Sequence, residues 1–217
     1  MPGKSITVLI SGRGSNLAAL LSAMRGGSLN GTIAHVIADR PVAAGLAIAR
    51  KYDVASTVID HRSHASPGAF DTALAAAIST TAPDLVVLAG FMRVLGSDIV
   101  AHYTGRMINV HPSLLPLYPG LHTHRRALAD GVRVHGCTVH FVTLAVDAGP
   151  IIAQGAVPVL DDDDETTLAA RVLAVEHRLL PLVVAWFCAD RLILDGARAR
   201  VMGITPMETR SLVVPAE

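Results

Sequence analysis

Four short and largely apolar runs, alternating with segments of helical periodicity, constrain the fold of this chain more than any other feature. The runs cover residues 6–10, 33–38, 55–59 and 84–89, and helices are predicted over 16–24, 43–52, 66–79 and 96–102. Strands that alternate with helices predict an α/β fold with an open, mostly parallel, Rossmann-like sheet and helices on both faces.

Length, charge and cysteine content narrow the class of protein. The chain has 217 residues, of which 51% are hydrophobic and 17% charged, so one packed domain over 1–217 is expected. The formal net charge is zero, which favours neither nucleic acid nor an anionic membrane as partner. No apolar stretch is long enough to span a bilayer and no signal peptide is evident. Two cysteines without a disulfide framework predict reduced thiols and a cytoplasmic protein.

The first strand leads into the turn Ser11-Gly12-Arg13-Gly14-Ser15 and then into a helix. Ser15 or Asn16 is the expected N-cap. A strand, a glycine turn and a helix N-terminus together can bind a phosphate through backbone N–H groups. Two other interpretations stay open: an ordinary βα turn, and a dinucleotide-binding fold with Asp39 as the ribose-binding acid. Leu17 disfavours the second, because a small residue is needed there.

The stretch from Met107 to Pro150 concentrates polar residues that could perform chemistry. A short strand delivers Asn109 and His111 to the same side, because they are two residues apart, and Pro112 ends it. Extended runs at 135–143 and 151–160 predict a hairpin around a loop that carries Asp147. Taken singly, each of these polar residues is better explained by a turn or by core packing, but their joint spacing with Ser113-Leu-Leu-Pro disfavours that explanation.

Together, these motifs resemble the folate-dependent formyltransferases. Asn109-x-His111-Pro-Ser-Leu-Leu-Pro and Asp147-x-Gly-Pro match the signature of that family. The segments Gly12–Leu17, Ala89–Arg93 and Tyr118–His124 resemble the members that formylate phosphoribosylglycinamide (GAR) in purine biosynthesis. The resemblance covers roughly residues 6–190. It implies a formyltransferase-type fold with an N-terminal phosphate-binding half of about 1–105 and a C-terminal catalytic and folate-binding half of about 106–217.

The resemblance also implies an activity and a set of site residues. The expected reaction transfers a formyl group from 10-formyltetrahydrofolate to the amine of GAR, without a metal and between small-molecule substrates only. A monomer or weak homodimer is expected. The implied catalytic residues are Asn109, His111 and Asp147, and His111 would be supported by Thr138, His140 and His122. The residues expected to contact GAR are Gly14, Ser15, Asn16, Gly90, Pro112 and Glu176. The residues expected to contact folate are Met92, Arg93, Val94, Leu95, Asn109, Ala145, Val146 and Asp147.

Two positions depart from the family pattern. Leu173 stands where relatives often place a polar or basic side chain toward the phosphate, and Pro67 stands where many carry an arginine toward the folate glutamate tail. We expect Arg13 to compensate at the phosphate.

Several rival functions remain open at this stage. Within the family they are formyltetrahydrofolate hydrolysis and methionyl-tRNA formylation. The first is disfavoured because the hydrolases usually have an extra N-terminal regulatory domain, and the second is disfavoured by neutral charge and short length. A non-catalytic folate or nucleotide binder is the alternative from another class. A zinc hydrolase is a further alternative, suggested by the histidines at 111, 122, 124, 135 and 140. It is disfavoured because the sequence has no H-x-x-x-H motif with a glutamate between the histidines and no cysteine at ligand spacing.

Overall fold

The computed structural model describes residues 3–203, and these form nine strands and six α-helices. The strands are β1 (Lys4–Ile10), β2 (Gly31–Ala38), β3 (Ala55–Val58), β4 (Leu85–Leu88), β5 (Met107–His111), β6 (Val134–Phe141), β7 (Ile151–Pro158), β8 (Leu192–Asp195) and β9 (Arg198–Val201). The helices are α1 (Ser15–Arg25), α2 (Gly45–Lys51), α3 (Pro67–Ser79), α4 (Ser97–His102), α5 (Thr123–Ala129) and α6 (Glu165–Cys188).

Seven of the strands form one sheet in the order β3-β2-β1-β4-β5-β6-β7. The first five strands in this order are parallel to one another, whereas β6 is antiparallel to β5 and β7 is antiparallel to β6. This arrangement confirms the predicted α/β class and the predicted pairing of the two later extended runs. The switch to antiparallel pairing places β6 beside the end of β5, where the polar residues Asn109 and His111 lie.

Helices cover both faces of the sheet, as the alternation of strands and helices predicted. Val8 and Ile10 of β1 pack with α1, α2 and α6 on one face. Leu9, between them in sequence, packs with α3 and α4 on the other face. A parallel strand buried on both faces is apolar at most positions, which explains the nearly continuous apolar runs. Thr7 is the buried polar exception in β1, and its hydroxyl is hydrogen-bonded to that of Thr81 at 2.9 Å.

The sequence at 166–187 predicts an amphipathic helix that Pro181 should kink or end, followed by a short strand and a tail. The structure differs from this expectation in two details. Helix α6 does not end at Pro181 but continues to Cys188. The proline removes one backbone hydrogen bond, but its neighbours Leu180, Val183 and Val184 are buried in the sheet-facing core, and that packing holds the helix together. After α6 the chain forms a β8–β9 hairpin rather than one short strand, and the predicted tail beyond residue 203 lies outside the described residues.

None of the helices within residues 3–203 combines the length and the hydropathy that crossing a membrane requires.

Candidate active site

The carboxyl ends of β1, β4 and β5 open into a cleft of about 1160 Å³. Its walls are the N-terminus of α1, the segment 88–95 after β4, residues from the loops after β5 and β6, and one face of α6. Sites for one small molecule typically occupy about 300–1,000 Å³, so this volume suits two substrates side by side. The predicted site residues line this cleft, apart from Ala145 and Thr138.

The glycine turn after β1 leaves the N-terminus of α1 open to the cleft. Gly14 is the N-cap, with a φ of 75°, and no side chain caps the helix. The expectation of Ser15 or Asn16 as N-cap is therefore wrong. Only glycine fits here, because a Cβ on Gly14 would lie 2.5 Å from the Cα of Gly45. The uncapped first-turn N–H groups can donate to an anionic ligand.

Asn16 and Glu176 connect α1 to α6 beneath the cleft floor. The Asn16 Nδ2 donates to Glu176 Oε2 at 2.7 Å, and both residues are buried. Burial raises the pKa of the Glu176 carboxyl, and the Asn16 hydrogen bond partly opposes that rise. The Asn16 Oδ1 is also buried but has no hydrogen-bond partner among the described residues. A ligand with hydroxyl groups could donate hydrogen bonds to Asn16 Oδ1 and to the Glu176 carboxylate.

Asn109 is held by a histidine from the neighbouring strand. The β5–β6 register sets Asn109 opposite His140, and Asn109 Nδ2 lies 3.2 Å from His140 Nε2. His140 Nδ1 donates to the Phe141 carbonyl, so Nε2 carries the lone pair that accepts from the amide. Burial lowers the pKa of His140, which keeps the ring neutral as this arrangement needs. The second amide N–H of Asn109 remains available to the cleft.

His111 and Asp147 lie side by side in the site. His111 Nε2 donates to the Tyr118 carbonyl at 2.9 Å, and Nδ1 lies 3.4 Å from Asp147 Oδ2. That carboxylate oxygen also accepts the backbone N–H of Gly120 at 2.8 Å. A neutral ring with its proton on Nε2 would turn a lone pair toward the carboxylate, so the pair is complementary when the ring carries two protons.

The loops that hold these groups contain non-glycine residues in the left-handed region. Tyr118, His122 and Asp147 have φ values of 57°, 57° and 53°. Such conformations are costly for residues with a Cβ and persist only where the surroundings fix them. Here the hydrogen bonds from His111 to Tyr118 and from Gly120 to Asp147 supply that constraint.

The expected supporting residues act by a different route from the one predicted. His140 contacts Asn109 rather than His111, and His122 Nδ1 lies 3.5 Å from Arg125. Thr138 donates to the Ser113 carbonyl and accepts from the Leu115 N–H, so it fixes the loop that follows His111. Thr138 is the antiparallel partner of His111, but its hydroxyl is hydrogen-bonded to the backbone of the loop after His111.

The segment Met92–Leu95 forms an apolar wall of the cleft. The Met92 N–H donates to Ser11 Oγ at 2.8 Å, which ties this wall to the end of β1. Met92 and Val94 are exposed, and Val146 on the opposite loop is exposed as well, whereas Leu95 is buried. Exposed apolar side chains on two sides of a cleft suit a flat heterocycle.

A histidine pair that the sequence suggested only as a metal ligand has another role in this site. His124 lines the cleft, and its Nδ1 lies 3.2 Å from Nε2 of the buried His135. Burial lowers the pKa of His135 to about 4, so the pair is neutral and joins the start of α5 to β6. The spacing of eleven residues between His124 and His135 gave no sequence signal for this contact.

Acidic and sulfur-containing side chains elsewhere have structural roles. The acidic run at 161–165 directly precedes a segment of helical periodicity, which predicts a helix cap rather than a metal site. Asp164 confirms this prediction, because it caps α6 by accepting from the Thr167 N–H. Cys137 and Cys188 are buried and form no disulfide. Within residues 3–203, no group of three or more histidine, cysteine, aspartate or glutamate side chains is arranged to hold a metal ion.

Comparison with known families gives one consistent result. A family model described as "Formyl transferase" matches residues 4–184. The phosphoribosylglycinamide formyltransferase of Escherichia coli (strain K12) is 48% identical over 206 residues, which cover 92% of this chain and 97% of that protein. The phosphoribosylglycinamide formyltransferase of Mycobacterium tuberculosis (strain CDC 1551 / Oshkosh) is 44% identical over 198 residues, covering 91% of each chain.

Solved structures agree with this result. The crystal structure of glycinamide ribonucleotide transformylase 1 from Symbiobacterium toebii superposes with a TM-score of 0.89 at 47% identity, covering 92% of this chain and 94% of that one. A formyltetrahydrofolate deformylase from Pseudomonas syringae pv. tomato gives a TM-score of 0.85 at only 26% identity, and 66% of that chain is covered.

Proposed function

The chain belongs to the formyl transferase family, and from this premise we propose that it transfers the formyl group of 10-formyltetrahydrofolate to the primary amine of phosphoribosylglycinamide. The products are N-formyl-GAR and tetrahydrofolate, and the reaction is the third step of de novo purine biosynthesis. The observation that carries the proposal is the meeting of Asn109, His111 and Asp147 at the centre of a cleft with one anion-binding end and one apolar end.

The two ends of the cleft suggest how the substrates lie. The phosphate of GAR is placed at the open N-terminus of α1, where Gly14, Ser15 and Asn16 present backbone N–H groups. Its ribose hydroxyls reach Glu176, and the chain passes Gly90 and Pro112 toward Asn109, all of which line the cleft. The pteridine of the folate fits the apolar wall of Met92, Arg93, Val94 and Leu95, opposite the loop of Ala145 and Val146.

Attack of the amine on the formyl carbon converts the carbonyl oxygen into an oxyanion. The free N–H of the Asn109 amide supplies a donor that is already oriented, because His140 holds the other N–H. His111 carries positive charge when doubly protonated, which stabilises the same oxyanion.

Two proton transfers complete the reaction. The attacking nitrogen loses a proton as the new C–N bond forms, and Asp147 accepts it directly or through a water. The folate N10 gains a proton as its bond to the formyl carbon breaks, and His111 supplies it from Nδ1, the nitrogen that the backbone leaves unoccupied. No covalent intermediate with the enzyme is needed, because the amine is itself the nucleophile.

The test is turnover of 10-formyltetrahydrofolate, followed by absorbance with and without GAR. Release of tetrahydrofolate that requires GAR, with formation of N-formyl-GAR detected by mass spectrometry, is the expected result. Equal release with water as acceptor would indicate a deformylase, the activity of the more distant structural relative. Binding of both ligands without any turnover would indicate a non-catalytic binder.

A further inference from the structure

The phosphate end of the cleft has a charge imbalance that its helix alone does not correct. The wall that α6 contributes carries no cation. Of its two carboxylates, Glu165 is paired with Arg125 at 3.2 Å, and Glu176 has no cationic partner among residues 3–203. Glu176 is held 2.7 Å from the side chain of Asn16, in the first turn of α1. A phosphate ester carries a charge of about −1.5 to −2, whereas a helix N-terminus offers the equivalent of about +0.5. A dianion bound there therefore requires a further positive group.

Among residues 3–203, three arginines line the cleft, and two of them are paired with a carboxylate. Arg40 Nε lies 3.3 Å and Arg93 Nε 3.8 Å from the carboxylate of Asp39, which is almost completely buried. Arg13 has no carboxylate within 4 Å in the part of the chain that the structure describes. Its charge is therefore available to a ligand.

Arg13 also lies at the required place. It stands between Gly12 and Gly14, one residue before the N-cap of α1, and its side chain is exposed at the cleft. Asn16 is only 7% exposed, and its Oδ1 accepts no hydrogen bond from residues 3–203. This buried acceptor is independent evidence for a ligand with hydroxyl donors beside the N-terminus of α1, as the ribose next to the phosphate would supply.

We propose that Arg13 binds the phosphate of the ribonucleotide and sets the preference of the enzyme for a phosphorylated over a dephosphorylated substrate. This proposal rests on the proposed function, because it takes GAR as the ligand. The guanidinium complements the backbone N–H groups of α1: the N–H groups fix the position of the phosphate, and Arg13 neutralises its charge. Leu173, which faces the same cleft from α6, contributes no charge to it.

The test compares Arg13→Ala and Arg13→Lys with the wild-type enzyme. Arg50→Ala is the matched control, because it removes the same charge from the exposed surface of α2, outside the cleft lining. Loss of a charge-assisted hydrogen bond is expected to raise the KM for GAR about 10- to 100-fold in Arg13→Ala, with kcat and the KM for folate changed by less than about twofold. Arg13→Lys should recover part of the affinity, since it keeps the charge without the bidentate geometry.

Binding of the dephosphorylated glycinamide riboside, measured by calorimetry or competition, separates phosphate recognition from a general effect. Its affinity should be the same in Arg13→Ala as in wild type, and inorganic phosphate should compete with GAR more weakly in the variant. The proposal is overturned if GAR affinity is unchanged in Arg13→Ala, or if riboside and GAR lose affinity equally. Failure of the proposed function would appear differently, as absence of GAR-dependent turnover in the wild-type enzyme.

Discussion

Two regions of the cleft hold their functional groups in opposite ways. The anchoring region, which comprises residues 11–16 and α1, presents backbone N–H groups from a regular helix that is fixed by close backbone packing at Gly14 and Gly45. The reacting region, which comprises the end of β5 and the loops at 112–124 and 143–150, presents side chains held by hydrogen bonds between residues far apart in sequence.

Because of this difference, the two regions should tolerate different kinds of substitution. Backbone donors survive many side-chain substitutions but fail when a Cβ moves the chain. Side-chain catalysts fail on an isosteric substitution that leaves the backbone untouched, because the chemistry resides in one ionisable group. The reacting region should therefore separate activity from stability, whereas the anchoring region should lose both together.

The largest effect is expected from Asp147→Asn in the reacting region. Removal of the proton acceptor should lower kcat by about 10²- to 10⁴-fold. The free energy of unfolding should change by less than about 1 kcal/mol, because the asparagine Oδ1 still accepts the Gly120 N–H. Steady-state kinetics and urea unfolding of the same preparation measure the two quantities.

Asp53→Asn is the matched control for this variant. Asp53 has a φ of 58°, close to the 53° of Asp147, but it is exposed and lies outside the cleft lining. Its variant should keep both activity and stability. A large loss of stability in Asp147→Asn would mean that the two regions do not differ in the way described.

Gly14→Ala tests the anchoring region from the opposite direction. An alanine there combines a left-handed φ with a Cβ 2.5 Å from the Gly45 Cα, so the free energy of unfolding should fall by about 2–4 kcal/mol. The KM for GAR should rise about tenfold as the N–H groups of α1 shift, since one charged hydrogen bond is worth roughly that factor. Gly12→Ala is the control, because a Cβ on Gly12 meets no atom within 4 Å. Equal losses in both variants would exclude backbone packing as the cause.

The fold and the anchoring region were predictable from the sequence to different depths. The alternation of apolar runs and helices predicted the sheet and its helical layers, because burial on two faces leaves a pattern in every strand. The N-cap was mispredicted, because Gly14 adopts its left-handed conformation through contact with Gly45, thirty-one residues away. Pro181 was mispredicted as a possible helix end because propensity carries no information about the core that α6 packs against.

In the reacting region the sequence predicted which residues belong to the site better than it predicted which contacts they make. The two-residue spacing of Asn109 and His111 placed both on one side of a strand, and the resemblance supplied Asp147. The contact between Asn109 and His140 depends on the β5–β6 register, and the support from Tyr118 depends on a loop conformation. Neither leaves a local pattern in the sequence, because each is set by tertiary contacts.

Thr138→Val tests the loop of the reacting region without touching a reacting group. The Thr138 hydroxyl is buried and bonds Ser113, Leu115 and Gln154. A valine of the same shape removes the partner of the Ser113 carbonyl and of the Leu115 N–H, while Gln154 keeps its bond to the Leu115 carbonyl. The free energy of unfolding should therefore fall by about 1–3 kcal/mol. Urea unfolding measures this loss, and Thr32→Val at an exposed position of β2 is the control that should be near neutral. A neutral Thr138→Val would show that the loop is held by packing instead.

The smallest effect on stability is expected at Glu176, the α6 residue that accepts a hydrogen bond from Asn16 of the anchoring region. Burial raises the pKa of its carboxyl in the folded state above the ordinary value of 4.5. Such a group favours folding fully below the ordinary value, and that contribution is lost as the pH rises through the raised pKa. At neutral pH the buried carboxylate therefore costs stability, and Glu176→Gln should be more stable than wild type by less than the effect of Thr138→Val.

The pH dependence decides between this explanation and a simple change in packing. The stability gain of Glu176→Gln should disappear as the pH falls below the ordinary carboxyl value, because the wild-type group is then neutral as well. Urea unfolding between about pH 4 and pH 8 measures it, with the exposed Glu165→Gln at the start of the same helix as a control without such a gain. The KM for GAR should rise about tenfold in Glu176→Gln at neutral pH, since an amide accepts hydroxyl hydrogen bonds less strongly than a carboxylate. A stability gain of Glu176→Gln that does not vary with pH would show that the gain comes from packing. A gain that depends on pH, together with weaker GAR binding, would show that Glu176 lowers the stability of the fold but contributes to substrate binding.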